Sequence, residues 1–183
     1  MAAKLRPLEE VHFVPVAQLF QKCECLINIG RETHQPLLTS FGDAYVKETL
    51  ESGDLSSYSA LCSVFRKPKC EFWVLYDEDT SSVVGAVAVE HKDSDTAELR
   101  RMCVAHDHRR QGLGSILVQQ CLQFAREQGY KRVFLTTPTI NTGAIAMYEK
   151  NGFARDCEDV VFTRADLGIV NLRLAHLTCH LSS

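Results

Sequence analysis

The sequence has few of the features that mark membrane, secreted or nucleic-acid-binding proteins. Its longest uninterrupted apolar run is Val83–Val89, far short of the ~20 residues that a membrane-spanning helix needs. Residues 1–10 contain no apolar core of a signal peptide. Lys and Arg number 20 against 23 Asp and Glu, a formal charge of −3, which excludes the basic surface of a non-specific nucleic-acid binder. We therefore expect neither a membrane nor a nucleic acid as partner.

The chain contains eight cysteines, but no pair has the Cys-x-x-Cys spacing of a zinc site or a redox dithiol. Most lie inside apolar runs, which is typical of buried, free thiols. Free thiols fit a reducing compartment, so we expect a cytoplasmic protein, with the nucleus as the second choice. We expect no metal.

The chain also lacks internal repeats, low-complexity tracts and Pro/Gly/Ser-rich linkers. Its 183 residues and mass of 20.5 kDa suit one domain with a substantial core. We therefore expect a single domain over residues 1–183.

The hydrophobic pattern predicts an α/β fold. Three runs with strand character, Glu71–Tyr76, Val83–Glu90 and Thr96–Val104, are joined by short polar turns, which indicates an antiparallel meander. Apolar residues, among them Leu113, Leu117 and Cys121, then recur at helical spacing up to about Gln128, and Gly129 follows where a helix ends. Lys131–Thr136 is the next strand, so the two strands that flank this helix should be parallel. Further helices are expected over Val14–Ile29, over Gly42–Val64 with an interruption near residues 52–54, and over Thr142–Asn151 with Gly152 at its end. Further strands are expected over Leu5–Leu8, Phe153–Arg164 and Ile169–His180. A mixed, mostly antiparallel sheet of about six or seven strands with helices on both faces results.

The segment from Arg109 to Gly114, Arg-Arg-Gln-Gly-Leu-Gly, links a strand to the predicted helix. Glycine lets a backbone approach a ligand closely, and the first N–H groups of a helix attract anions. The two arginines add positive charge, so the segment suits a pyrophosphate. It is not a Walker A loop, because Gly-x-x-x-x-Gly-Lys-Ser/Thr is absent. It is not the dinucleotide fingerprint either, because Leu117 stands at the position of the third glycine. A turn with glycine for geometry and arginine for solubility is the alternative.

Two motifs together resemble a known family. Met102–Gly114, Met-Cys-Val-Ala-His-Asp-His-Arg-Arg-Gln-Gly-Leu-Gly, is similar to the acetyl-CoA-binding segment of the GNAT N-acetyltransferase superfamily, with His106 where members often carry proline. Asn141–Phe153, Asn-Thr-Gly-Ala-Ile-Ala-Met-Tyr-Glu-Lys-Asn-Gly-Phe, is similar to the family's second motif and follows in the expected order.

The resemblance implies where acetyl-CoA, a co-substrate, binds. Strand Thr96–Val104 would splay from the following parallel strand, and the pantetheine arm would lie in that gap. Backbone amides at the glycine-rich turn, with two arginines, would hold the pyrophosphate. The residues assigned to acetyl-CoA are Met102, Val104, Arg109, Arg110, Gln111, Gly112, Leu113, Gly114, Ser115 and Asn141.

The resemblance also implies two catalytic residues. Tyr148 would give a proton to the departing CoA thiolate; its alternative role is to pack on the core. Glu98, eleven residues before Arg109, would be the general base. Its alternative is an ion pair with Arg100 or Arg101 on the strand surface. Without a bulge, strand alternation would place Glu98, Arg100, Met102 and Val104 on one face.

We therefore expect an N-acetyltransferase that moves an acetyl group from acetyl-CoA to a primary amine of a small molecule or a protein, by direct attack through a tetrahedral intermediate. A non-catalytic acyl-CoA-binding regulatory domain is the alternative, and a nucleotide-binding module is a weaker one. Asp156, Glu158 and Asp159 either attract a cationic acceptor or are solvated strand ends. By analogy with the fold, the C-terminal strands could form a homodimer.

Overall fold

The computed structural model describes residues 3–22, 46–156, 159–164 and 169–181. These residues form a mixed α/β structure of strands and helices around one twisted sheet. The helices are α1 (Phe13–Lys22), α2 (Tyr58–Phe65), α3 (Leu113–Glu127) and α4 (Thr142–Lys150), with a further helical stretch at 46–51. The strands are β1 (Ala3–Pro7), β2 (Glu71–Asp77), β3 (Ser82–His91), β4 (Thr96–Val104), β5 (Arg132–Pro138), β6 (Ala154–Arg155), β7 (Val160–Arg164) and β8 (Ile169–His180).

The described strands form a sheet of eight strands in the order β1-β2-β3-β4-β5-β8-β6, with β7 also paired to β8. Every pairing is antiparallel except that of β4 with β5, as the sequence predicts for strands joined by a helix. The predicted strand Phe153–Arg164 is divided into β6 and β7, so the sheet has one strand more than the upper expectation of seven.

Each face of the sheet has its own apolar core. On one face, which we call the α3-side face, α3 and α4 bury residues such as Leu117, Val118 and Ile145 against the strands. On the other, the α1-side face, α1 and α2 bury Val16 and Phe65 against the first half of the sheet. The prediction of helices on both faces is confirmed.

The helix boundaries follow local sequence signals. Gly129 (φ +80°) and Gly152 (φ +93°) lie just beyond α3 and α4 in the left-handed conformation that ends helices, as predicted. The predicted interruption between Gly42 and Val64 is also present, since residues 52–57 form turns and Ser57 caps α2 by accepting the Ala60 N–H at 3.0 Å. The part of the predicted first helix after Lys22 lies outside the described residues.

The cysteines correct one expectation. Cys62, Cys70, Cys121 and Cys179 are free thiols, and burial raises the pKa of the Cys121 thiol. Cys103, however, is disulfide-bonded, to a partner outside the described residues. The expectation that the thiols are free is therefore wrong at Cys103, because sequence spacing does not reveal which thiols the fold brings within bonding distance.

In the part of the chain that the structure describes, no helix combines the length and the hydropathy that crossing a bilayer requires.

Candidate active site

Strands β4 and β5 part after a short paired stretch and leave a gap between them. They pair from Thr96 with Arg132 to Glu98 with Phe134. Beyond that point β4 continues to Val104 and β5 to Pro138, without further pairing between the two strands. This is the splay that the family resemblance implies. The backbone of β4 that borders the gap is thus without a strand neighbour on the β5 side among the described residues.

A β-bulge in β4 lies beside this gap. Ala86 of β3 pairs with Cys103, whereas Ala88 pairs with Arg100, so β4 contains one extra residue in between. Arg101 has φ +53°, in the left-handed region that non-glycine residues rarely occupy. The bulge therefore bends β4 where it leaves β5.

The bulge also inverts the alternation of side chains along β4. Leu99 packs in the core of the α3-side face, and so do Met102 and Val104, whereas Cys103 packs on the α1-side face. Unbroken alternation would have placed Leu99 with Cys103. The shared face was expected only without a bulge, and because β4 contains one, Glu98 and Arg100 do not share a face with Met102 and Val104.

The bulge residue is held by a buried ion pair. The Arg101 guanidinium donates to both carboxylate oxygens of Asp54, from Nε at 3.0 Å and from Nη2 at 2.5 Å. Both side chains are less than one-tenth exposed. This bidentate contact ties the bulge to the turn that follows the helical stretch at 46–51. The pair lines a cavity of about 320 Å³ on the α1-side face, together with Glu48 and Arg100.

Gly112 forms the centre of the turn at the N-terminus of α3. It is the N-cap residue, with φ +81° and no side chain to cap the helix. A Cβ placed there would meet no atom within 4 Å, so the space beside Gly112 is open. Arg110, two residues before Gly112, also has a positive φ, +64°. These N–H groups have no acceptor within the helix, and the helix dipole adds partial positive charge.

Arg109 and Gln111 shape the approach to this turn. Arg109 Nε donates to the Val104 carbonyl at 3.2 Å, which links the arginine to the end of β4. Gln111 Nε2 donates to the Asp107 carbonyl at 3.3 Å. Two side chains that the sequence assigned to the pyrophosphate thus form hydrogen bonds to the backbone of the preceding loop.

The next three residues contribute mainly through their backbone. Leu113 is buried in the core, Gly114 lies under Met102 and Met147, and the Ser115 hydroxyl accepts from Asn151 Nδ2 at 3.0 Å. The Leu113 side chain therefore packs in the core, and the Ser115 side chain joins α3 to the end of α4.

The second motif forms α4 and the turn before it. Asn141 is the N-cap residue of α4; its N–H donates to the Pro138 carbonyl at 2.9 Å, and its side chain makes no capping hydrogen bond. Tyr148 is only 6% exposed and packs edge-to-face on Phe153, with ring centroids 5.8 Å apart. Asn141 thus lies at the end of β5 that borders the gap, and the ring of Tyr148 belongs to the core beneath it.

Glu98 lies at the closed end of the gap, in an ion-pair network. Its Oε2 is 2.8 Å from Lys92 Nζ, and Glu98 pairs across the ladder with Glu90. Burial alone would lower the pKa of Lys92, but its contacts with Glu98 and Glu90 outweigh this and raise it. The sequence offered Arg100 or Arg101 as the structural partner of Glu98; the partner found at close range is Lys92.

The two loop histidines differ in their surroundings. His106 is largely exposed and lies beside Asp107. His108 is partly buried, with Nε2 3.9 Å from Asp77 Oδ2 and with Nδ1 buried and without a hydrogen-bond partner among the described residues. Within the described ranges, no three metal-ligating side chains come close enough together to hold an ion.

One contact between a histidine and an aspartate is not predicted by the sequence. His176 of β8 contacts Asp156, which follows β6, on the α1-side face. Asp156 was noted only as one of several acidic residues, and His176 was not noted. Their meeting depends on the pairing of β6 with β8, which no local signal specifies.

An acyl-CoA fits these residues. The open space before Gly112, the two arginines and the free first turn of α3 suit a pyrophosphate, and the gap between β4 and β5 suits an extended arm that pairs with backbone. A mixed sheet with such a splay beside the N-terminus of a helix is the arrangement that the family resemblance implies for an acyl-CoA-dependent acyltransferase.

The family follows from comparison with known proteins. A profile of the acetyltransferase (GNAT) family matches residues 35–153, more than half of the chain. The chain therefore belongs to the GNAT acetyltransferase family.

Curated relatives carry N-acetyltransferase names. Human N-acetyltransferase 8 is 38% identical over 117 residues, which cover 61% of this chain and 50% of the relative. Rat N-acetyltransferase 8F1 is 42% identical over 89 residues, 46% of this chain and 39% of the relative. The matched part thus spans about half the length of these relatives or less.

Solved structures share the fold at low sequence identity. The PaiA N-acetyltransferase of Thermoplasma acidophilum, in complex with coenzyme A, has a TM-score of 0.73 at 14% identity and covers 99% of this chain and 100% of that chain. A putative streptothricin acetyltransferase of Bacillus anthracis, in complex with acetyl coenzyme A, has a TM-score of 0.57 at 20% identity, over 66% and 67% of the two chains. These likenesses establish the GNAT fold.

Proposed function

We propose that this chain, as one domain over residues 1–183, transfers an acetyl group from acetyl-CoA to a primary amine of a small molecule or a protein. The observation that carries the proposal is the gap between β4 and β5 beside the open first turn of α3. The family membership and the names of the relatives support the same activity.

The pyrophosphate of acetyl-CoA would be held at the N-terminus of α3. Backbone N–H groups from Gln111 to Ser115 supply hydrogen bonds, and the guanidinium groups of Arg109 and Arg110 supply charge. The backbone of Met102 and Val104 borders the gap and would pair with the pantetheine arm, and Asn141 would contact the same arm from the side of β5.

The chemistry requires three things of the protein. A lysine-like acceptor has a pKa near ~10.4, so its ammonium must lose a proton before it attacks. The oxyanion of the tetrahedral intermediate needs a donor, and a backbone N–H near Val104 is proposed for this. The departing thiolate needs a proton, which we assign to the Tyr148 hydroxyl. Glu98 is the base that the family pattern supplies, and its ion pair with Lys92 is the competing structural role.

Release of CoA thiol across a panel of amines and peptides, with mass spectrometry of the product, tests the activity. An acetylated amine formed together with CoA thiol is the expected result. Binding of acetyl-CoA without release for any amine would instead favour the non-catalytic acyl-CoA-binding domain.

Tyr148→Phe tests the assignment of the acid. We expect kcat to fall ~10²-fold, the scale of losing a general acid, with acetyl-CoA affinity within about twofold of the wild type. Because Tyr148 is buried, the melting temperature has to be measured alongside. A large loss of stability or affinity at unchanged kcat would make Tyr148 purely structural.

A further inference from the structure

A histidine–aspartate pair lies on the α1-side face of the sheet, close to the gap. His176 Nδ1 lies within hydrogen-bonding distance of Asp156 Oδ2. The Asp156 N–H donates to the His176 carbonyl at 2.9 Å, and the Thr178 hydroxyl lies 3.5 Å from the same carboxylate oxygen. Backbone pairing therefore fixes the two side chains next to each other.

The position of His176 follows from strand register. Ala175 and Leu177, on either side of it, are buried in the core of the α3-side face, so His176 projects from the opposite face. It pairs with Thr136, within the part of β5 that borders the gap.

The imidazole also contacts the closed end of the gap. It stacks on the ring of Phe134, with centroids 5.0 Å apart and planes 17° apart. Phe134 is the last residue of β5 paired with β4, and its partner there is Glu98. Phe134 thus lies between Glu98, its partner on β4, and His176, its diagonal neighbour on β8, where the gap opens.

The pair is accessible from solvent. The side chains of His176 and Asp156 are 27% and 45% exposed. A hydrogen bond from the ring to a carboxylate requires the proton on Nδ1, and a neutral ring in that tautomer has the Nε2 lone pair available. Nε2 has no hydrogen-bond partner among the described residues. This is the arrangement by which an aspartate orients a histidine for proton transfer.

Glu98, by contrast, is engaged in a close ion pair. Its carboxylate contacts the Lys92 ammonium at 2.8 Å and is 18% exposed. Protonation of Glu98 would remove the charge that this ion pair depends on, whereas protonation of His176 would strengthen its contact with Asp156.

We propose that His176, oriented by Asp156, is the group that accepts the proton from the acceptor ammonium; this rests on the proposed acetyl transfer. The ammonium gives one proton to Nε2, and the freed nitrogen lone pair forms the bond to the acetyl carbon. The carbon–sulfur bond breaks, its electron pair stays on sulfur, and the thiolate takes the Tyr148 proton. The second amine proton restores Tyr148, and the imidazolium releases its proton to solvent.

Kinetics of three variants test this role, with the amine that the wild type acetylates fastest. His176→Gln should lower kcat by ~10²-fold or more and Asp156→Asn by ~10-fold, with acetyl-CoA binding unchanged within about twofold. His180→Gln is the matched control, since His180 is an exposed histidine on the same face of β8 but pairs with Arg132, away from the gap. It should leave kcat unchanged. A larger loss in Glu98→Gln than in His176→Gln would overturn the proposal.

Chemical rescue separates a proton acceptor from a packing residue. His176→Gly should regain part of its activity when free imidazole is added, and His176→Gly without any rescue would count against the role.

Long-range proton–nitrogen NMR of the wild-type ring gives a readout that does not depend on turnover. The proposal requires the Nδ1–H form in the wild type and its partial loss in Asp156→Asn; the Nε2–H form in the wild type would refute it. A wild type with the Nδ1–H form that acetylates no amine would instead refute the proposed function.

Discussion

Replacing Gly112 tests the pyrophosphate site through charge alone. Gly112→Asp places a carboxylate where the first turn of α3 would hold the pyrophosphate, and Gly112→Asn places a neutral side chain of nearly the same shape there. The new Cβ meets no atom within 4 Å, so neither variant causes a clash. Both have to adopt φ +81°, which costs about 1–2 kcal/mol for most residues and less for asparagine.

The two variants should differ strongly in binding. Two unit charges about 4 Å apart repel by about 4 kcal/mol in an effective dielectric of ~20, and salt reduces this. We therefore expect Gly112→Asp to weaken acetyl-CoA binding by ~10²-fold or more and Gly112→Asn by ~10-fold or less. Titration calorimetry at two salt concentrations measures both, and the effect of the aspartate should shrink at high salt.

Gly129→Asp is the matched control. Gly129 has φ +80°, equally open surroundings and lies at the other end of α3. The same charge and strain there should leave acetyl-CoA binding unchanged. Equal losses for Gly112→Asp and Gly112→Asn, or an equal loss for Gly129→Asp, would refute a pyrophosphate site at Gly112.

Three further predictions concern stability. Leu117→Ala should lower the free energy of unfolding by about 2–5 kcal/mol, because Leu117 is fully buried on the face of α3 that packs on the sheet. A loss below about 1 kcal/mol in denaturant unfolding would contradict this. Asp54→Asn should lower the free energy of unfolding by about 3 kcal/mol, because it leaves the Arg101 guanidinium without its bidentate carboxylate. The double variant Asp54→Asn, Arg101→Met should lose less free energy of unfolding than Asp54→Asn alone. Burial opposes ionisation of Glu90, but its hydrogen bond and charge contact with Arg100 outweigh this and lower its pKa. A lowered carboxyl pKa stabilises the fold above the ordinary glutamate pKa of about 4.3, and this stabilisation is lost as the pH falls below that value. The free energy of unfolding should therefore decline on acidification, and it should decline less in Glu90→Gln.

The sequence predicted the elements that local signals define. The spacing of Leu113, Leu117 and Cys121 gave α3 correctly, and Gly129 marked its end, because helical periodicity and a left-handed glycine act within a few residues. The parallel pairing of β4 with β5 followed from the helix between them.

The bulge in β4 could not be predicted in the same way. Its left-handed residue is Arg101, not glycine, and its ion-pair partner Asp54 lies far away in sequence. The condition on which Glu98 and Met102 would share a face, a strand without a bulge, is therefore not met. A single extra residue in a strand leaves no trace in hydrophobic alternation when the residues around it are only partly buried.

The pair formed by His176 and Asp156 was missed for a related reason. Both lie in strands whose contact depends on long-range register, and neither belongs to a motif. The residues of the two family motifs, by contrast, were named from the sequence, and Gly112 and Asn141 do lie at helix N-termini beside the gap. Their roles with acetyl-CoA stay predictions.

Hydrogen exchange with mass spectrometry, with and without saturating acetyl-CoA, tests the central claim most directly. The account predicts slower exchange of the amides of residues 102–104 at the edge of β4 and of residues 111–116 at the start of α3, with little change in β1 and β2. Absence of protection in both segments, or protection confined to another part of the chain, would contradict it.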